Sequence, residues 1–525
     1  MKKLLSFLFI TVFVLVLTAC GGGGGGGGGS VAGGPSSDDG SSAVGSSVSY
    51  SPGYTYYVPA IYQDNSYTGY FLRYSVGDKE LLPALTAATG FSTIDQNTAN
   101  NGSQASGKRF VQNTENWPMP KVASSSQRRL LASVQPKTYA LGDTEQFWVI
   151  TDFNNETSQE KTFTLKQIGS HCRVWYDNDD PNNLDNEQNN QLAIIKTKLE
   201  AMFAVETALC GSMVPTRTYS NVIPITSETK LEIVVYAMTD SYLGYFYPRD
   251  LMTDNAYSNK APVIYITSTD TTSNMYSTVS HEFDHLLNFI QKDINLDKRQ
   301  ATWYTELMSN TIEEVLESFN DVDNAHSVRT TWMPAFLFYY NHGLLWNQLN
   351  SNASYSNVYA FGAWLVRNYG GPELFHKIAT NAYVNEESIV QAVRSMGYNE
   401  TFVSLRKKFA ESLIYTVAGC GRPNFNKGIN TTFAGENIVM PAIDLMTIQS
   451  LSTDSDKYNY ASANKAACLV NCTEGQPYYG PLILKPTAHF ENVCKYGFEI
   501  QKLGTGLTQV EIPSNYYGAF DVEFK

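Results

Sequence analysis

Five residues constrain this 525-residue chain more than any others: His281-Glu282-Phe283-Asp284-His285. On an α-helix, positions i and i+4 lie on one face, so two imidazoles at this spacing can reach a single metal ion. The glutamate beside the first histidine can reach a water held by that ion. The chain has only 7 histidines, and two of them sit at this spacing around a glutamate. Leu286, Leu287, Phe289 and Ile290 give the segment an apolar side, and Ser277 or Thr278 is a candidate cap, which predicts a helix over 277–291. Taken alone, the five residues could also be two ordinary histidines on a helix.

A catalytic zinc takes three protein ligands and keeps one position open. The metzincin solution needs histidine at 291 and glycine at 288, and this chain has Gln291 and Asn288. The gluzincin solution needs a glutamate on a following helix, and Trp303-Tyr304-Thr305-Glu306-Leu307-Met308-Ser309 supplies Glu306. Glu313, Glu314 and Glu317 are rivals, although such residues more often form a solvated helix face. Glu313 is two turns beyond Glu306, so it shares that face and can orient a metal-bound histidine from behind.

These two segments are similar to the hyicolysin family of neutral zinc metallopeptidases, which has HEFxHxxxF followed by WxxExxS. The family's glycine after the ligand glutamate is Leu307 here. Further likeness lies in Leu243-Gly244-Tyr245-Phe246, Asp250, Ser258-Asn259, Ile264-Tyr265-Ile266 and Cys172-Arg173-Val174-Trp175-Tyr176, and the whole covers roughly residues 138–420. The resemblance implies an α+β protein with a thermolysin-like zincin catalytic domain and a helical active-site region. It implies zinc on His281, His285 and Glu306, with Glu282 as general base towards a zinc-activated water. Zincins place a strand that binds extended substrate just before the active-site helix, where Val263–Thr267 lies. Tyr355 through Gly362 is similar to the YxxG helix start of gluzincin aminopeptidases, which makes Tyr359 the candidate oxyanion donor and Tyr355 the alternate. Thermolysin-like relatives carry an aspartate four residues after the ligand glutamate that supports a zinc histidine, and here that position is Asn310. The aminopeptidases' GxMEN sequence is absent, which favours endopeptidase action on protein or peptide substrates.

The start of the chain reads as an export address. Lys2 and Lys3 precede an apolar run from Leu4 to Leu17, short of the ~20 residues a spanning helix needs. Leu17-Thr18-Ala19-Cys20 resembles a lipobox, in which Cys20 would carry a lipid anchoring the protein to a bacterial membrane. The expected location is the cell envelope, at the outer membrane if the cell is Gram-negative. Gly21 to Gly29 and the Ser/Gly-rich residues up to 50 form a flexible tether. The expected plan is a lipoprotein signal peptide over 1–20, the tether over 21–50, a β-rich segment or propeptide over 51–135, the metallopeptidase domain over 136–420 and a β-rich domain over 421–525. Arg128-Arg129 is either a processing site or an exposed loop. Removing Cys20 from the 7 cysteines leaves an even number, which in an exported chain suggests up to three disulfides, with proximity along the chain suggesting Cys172–Cys210 and the other four pairing near the C-terminus. Asp177, Asp179 and Asp180 could bind calcium or form a solvated loop. A net charge of −13 excludes phosphate backbones as natural partners, and a monomer is expected. Two other functions compete with the endopeptidase: a surface-binding lipoprotein with an inactive zincin domain, and a zinc amidase acting on a non-protein amide.

Overall fold

The structure, a computed structural model, describes residues 121–124, 137–153, 155–181, 186–239, 242–270, 274–320, 326–344, 346, 351–451, 469, 471–473, 476–484 and 496–502. It also describes the backbone of short segments at 47–49, 55–59, 92–94, 488–490 and 509–511. The expected signal peptide, most of the tether, Arg128-Arg129, Cys468 and Cys494 lie outside the described residues.

A six-stranded sheet organises the first half. Its strands are β1 (Thr144–Asp152), β2 (Thr157–Ile168), β3 (Cys172–Asp177), β4 (Leu231–Tyr236), β5 (Gly244–Phe246) and β6 (Val263–Thr267), in spatial order β1-β2-β3-β4-β6-β5. β3, β4 and β6 run parallel, whereas β1, β2 and β5 join antiparallel. The sequences dictate the centre: Leu-Glu-Ile-Val-Val-Tyr and Val-Ile-Tyr-Ile-Thr are nearly unbroken apolar runs, and every residue of both strands is buried. The outer strands β1 and β2 alternate buried and more exposed residues. One face of the sheet carries an aromatic core that includes Phe147, Phe163, Trp175, Tyr236, Tyr245 and Tyr265. The other face is covered by helices, beginning with α1 (Asn186–Cys210), which crosses between parallel strands β3 and β4. Val263–Thr267 is therefore an interior strand, as its apolar, β-branched run predicts, and the sheet's edge beside it is β5.

The metal motif lies on α2 (Asn274–Asn288), which continues as a wider π-helical segment, Phe289–Ile294. α2 starts at Asn274, so Ser277 and Thr278 sit within its body and do not cap it. The π segment turns Lys292 inwards. Its ammonium lies 2.9 Å from the Ile378 carbonyl, 2.7 Å from that of Asn381 and 2.8 Å from that of Tyr383. Next come α3 (Thr302–Val315), α4 (Val328–Tyr339), α5 (Ser351–Tyr369), α6 (Pro372–Thr380), α7 (Asn385–Ser395) and α8 (Phe402–Glu411). α3 and α5 cross closely at Gly362, where an added Cβ would lie 1.9 Å from Thr311 Oγ1. α5 begins eight residues before Tyr359, which is thus mid-helix and not at a helix start.

The helical core continues past residue 420. Leu482, Leu484, Phe498 and Ile500 belong to the same buried cluster as the active-site helices. The Tyr340 hydroxyl donates to the Leu482 carbonyl at 2.5 Å and accepts from the Ile500 amide at 3.2 Å. Strands 55–59 and 47–49 pair antiparallel with 498–502 and 509–511, and 92–94 pairs parallel with 488–490. Among the described residues no helix is long and apolar enough to cross a membrane.

No disulfide forms among the described cysteines, and Cys172, Cys210 and Cys420 are free thiols. The expected Cys172–Cys210 bridge fails because each buried thiol has its own acid to meet. Cys172 Sγ donates to Glu200 at 3.6 Å, and Cys210 Sγ to Asp284 at 3.2 Å.

Candidate metal centre

α2 and α3 lie side by side, and His281, His285 and Glu306 converge from them within 4.8 Å of one another. Among the described residues this is the only group of three or more His, Cys, Asp or Glu side chains placed to hold a metal ion. The two Nε2 atoms are 3.1 Å apart, and the Glu306 oxygens lie 3.4 Å from that of His281 and 3.3 Å from that of His285. Burial alone would raise the Glu306 carboxyl, but the facing His285 and His281 outweigh it and hold the group down at about 2. Glu306 therefore meets its neighbours as an anion.

The far side of each ring sets its tautomer. His281 Nδ1 lies 2.7 Å from Glu313 Oε1, and a neutral ring that donates there from Nδ1 would turn its Nε2 lone pair inwards to a bound metal. His285 Nδ1 lies 3.1 Å from Ser309 Oγ, and that hydroxyl is 2.8 Å from Asp284 Oδ2. Two inward lone pairs and an anion demand positive charge between them. Their separations match the edges, about 3.3 Å, of a tetrahedron with metal–ligand bonds of 2.0–2.1 Å. The donor set, two imidazoles and one carboxylate, thus fits a zinc-like ion.

Glu282 is buried on the same helix, under the edge strand. A Cβ added at Gly244 would lie 2.7 Å from Thr278 Cγ2 and 3.1 Å from Glu282 Cγ. Only glycine lets β5 pass this close to the helix. Behind His285, Asp284 is fully buried; burial raises its carboxyl, and His285, Ser309 and Cys210 offset part of that rise. Glu206 lies near Asp284, fully buried and without a hydrogen-bond partner among the described residues, and burial followed by the charge of Asp284 pushes it well above the usual carboxylate range.

Other expectations are redirected. The Tyr359 hydroxyl donates to Glu314 Oε2 at 2.8 Å, inside a buried network with Arg367 and Arg329. That bond ties α5 to α3. Tyr355 is buried, stacked on Trp332. Asn310 turns back on its own helix, its amide donating to the Glu306 carbonyl at 2.7 Å, so it is Ser309 that reaches a histidine. Glu314 is fully buried, not part of a solvated face. Asp177 is paired with Lys161 at 2.5 Å, and Asp180 accepts from Ser268.

Three residues of the site escaped the sequence reading. Ser309 and Asp284 stood inside the motifs, and their signal was position: Ser309 is one turn after Glu306, and Asp284 abuts His285. Gly244 stood inside the stretch Leu243-Gly244-Tyr245-Phe246 that carries the family likeness, with nothing to mark its approach to the helix.

Residues 182–453, just over half of the chain, match the peptidase M30 family model. The chain belongs to the peptidase M30 family. It is similar to the neutral metalloprotease ShpI of Staphylococcus hyicus, with 24% identity over 341 residues covering 58% of this chain and 68% of that protein. An M1 zinc metallopeptidase from Deinococcus radiodurans overlaps 50% of this chain and 51% of its own, at 12% identity and a TM-score of 0.25. A two-domain M1 zinc metallopeptidase bound to L-arginine overlaps at 12% identity and a TM-score of 0.24. The chain spans about half the length of these solved proteins. As an M30 member with a neutral metalloprotease relative, this chain is a metallopeptidase.

Proposed function

We propose that this chain is a zinc endopeptidase of thermolysin-like plan, displayed on a bacterial surface through a lipid on Cys20. The observation that carries the catalytic reading is the convergence of two imidazole lone pairs and the Glu306 carboxylate on one point, with Glu282 on the same helix. His281, His285 and Glu306 hold the ion, and Glu313 fixes the ring of His281. When bound, zinc supplies Lewis acidity that polarises the carbonyl under attack. Glu282 takes a proton from the attacking water and delivers it to the leaving amine. Among the described residues β5 pairs on one side only, so an extended peptide can add to its outer edge as a further strand. That mode of docking suits cleavage within a chain.

The test uses the soluble form beginning after Ser49. Wild type is expected to carry one zinc and to cleave casein until a chelator is added. Glu306→Ala is expected to lose the metal. Casein cleavage that survives complete chelation overturns the reading, and so does wild type that binds zinc but cleaves purified murein and no protein. For the anchor, Cys20→Ala expressed in full length is expected to move the protein from the membrane fraction to the soluble fraction.

A further inference from the structure

His281 and His285 are held from behind in different ways. His281 meets a carboxylate directly, whereas His285 meets a hydroxyl, and the carboxylate stands one bond further back. Ser309 has one proton. The hydroxyl donates that proton to Asp284 Oδ2 at 2.8 Å, which leaves the Ser309 oxygen to accept from His285 Nδ1–H at 3.1 Å. The second Asp284 oxygen takes the Cys210 thiol at 3.2 Å. The chain of bonds therefore runs from α1 through Asp284 on α2 and Ser309 on α3 back to His285 on α2. Each of its side chains but His285 is essentially fully buried. Sealed from water, such a chain has no solvent to replace a missing link.

We propose that Ser309 and Asp284 are positioning residues for His285, with Ser309 acting as a one-proton adapter between the Asp284 carboxyl group and the imidazole. The adapter fixes the tautomer that turns Nε2 inwards and makes that nitrogen a stronger donor to the metal. Cys210 holds the Asp284 carboxylate in the rotamer that reaches Ser309. The inference rests on the metal-site reading above. Partners of this kind commonly account for about 10–100-fold in metal affinity.

The experiment measures zinc affinity by chelator competition and records the visible spectrum of the cobalt-substituted protein for wild type, Ser309→Ala, Ser309→Thr, Asp284→Asn and the Ser309→Ala/Asp284→Asn double variant. Ser309→Ala removes one oxygen from a buried site and is the variant least able to disturb folding. Melting of the metal-free forms checks that all variants fold. The expected result is about 10–100-fold weaker zinc binding in Ser309→Ala and Asp284→Asn, with shifted cobalt bands and near wild-type behaviour in Ser309→Thr. The double variant should be no worse than the poorer single one, because links in one chain are not additive. Wild-type affinity and an unmoved cobalt spectrum in Ser309→Ala overturn the proposal. So does a fully additive double variant. A wild-type protein that binds no zinc or cobalt refutes the metal site itself, which is a different failure.

Discussion

At the scale of single residues, the site depends on which buried groups are ionised. Glu282→Gln keeps the shape of the side chain and removes its basicity. It is expected to retain zinc while losing about 10²–10⁴-fold in turnover, read as kcat on casein beside a metal assay. Glu206 makes a second residue-scale prediction. Burial raises its folded pKa above the unfolded value, so above the unfolded pKa the native state holds the extra proton. Native stability then falls as pH rises through that window. Glu206→Gln is expected to flatten this slope, so that the gain in Tm of the metal-free protein is larger at pH 8 than at pH 5. An equal change at both values would show that Glu206 is already ionised in the native state.

At the scale of elements, tight crossings do the positioning. Gly244→Ala sets a methyl against Thr278, against the Tyr265 carbonyl and near Glu282. It is expected to displace β5 or the Glu282 side chain and to cost at least 10-fold in kcat/KM, while zinc content stays near one per chain. Much of this level was legible beforehand. The i, i+4 histidines put both rings on one helix face, and the unbroken apolar runs marked β4 and β6 as buried strands. Glu306 was findable because a helix of the right composition follows at the right distance. What could not be read were contacts between elements distant in sequence. Tyr359 looked like an oxyanion donor because only its own neighbours were visible, and the structure pairs its hydroxyl with Glu314 on another helix. Asn310 and Ser309 are adjacent in sequence and turn to different partners, a difference of helix phase that no spacing rule settled. Cys172 and Cys210 suggested a bridge by count, while the packing gave each thiol a separate carboxylate.

At the scale of the whole molecule, the core runs without a break from the sheet to Ile500. A chain ending at 420 would uncover the Tyr340, Phe336 and Phe409 neighbourhood that Phe498 and Phe425 cover. It is expected to lose cooperative melting in calorimetry, even though it keeps every candidate ligand. Metal removal acts on this same unit. With zinc at about 100 times its Kd, binding stabilises the fold by about 2.7 kcal/mol, so a chelator should lower Tm by an amount that grows with the logarithm of zinc affinity. The inward turn of Lys292 also has a mechanical meaning. Three main-chain oxygens at the end of α6 and in the loop beyond it are gathered on one ammonium at the tail of the histidine-bearing helix. That helix is therefore moored at its downstream end by a cation that never meets a substrate, and the precision of the ligand geometry is borrowed from a knot tied well away from it.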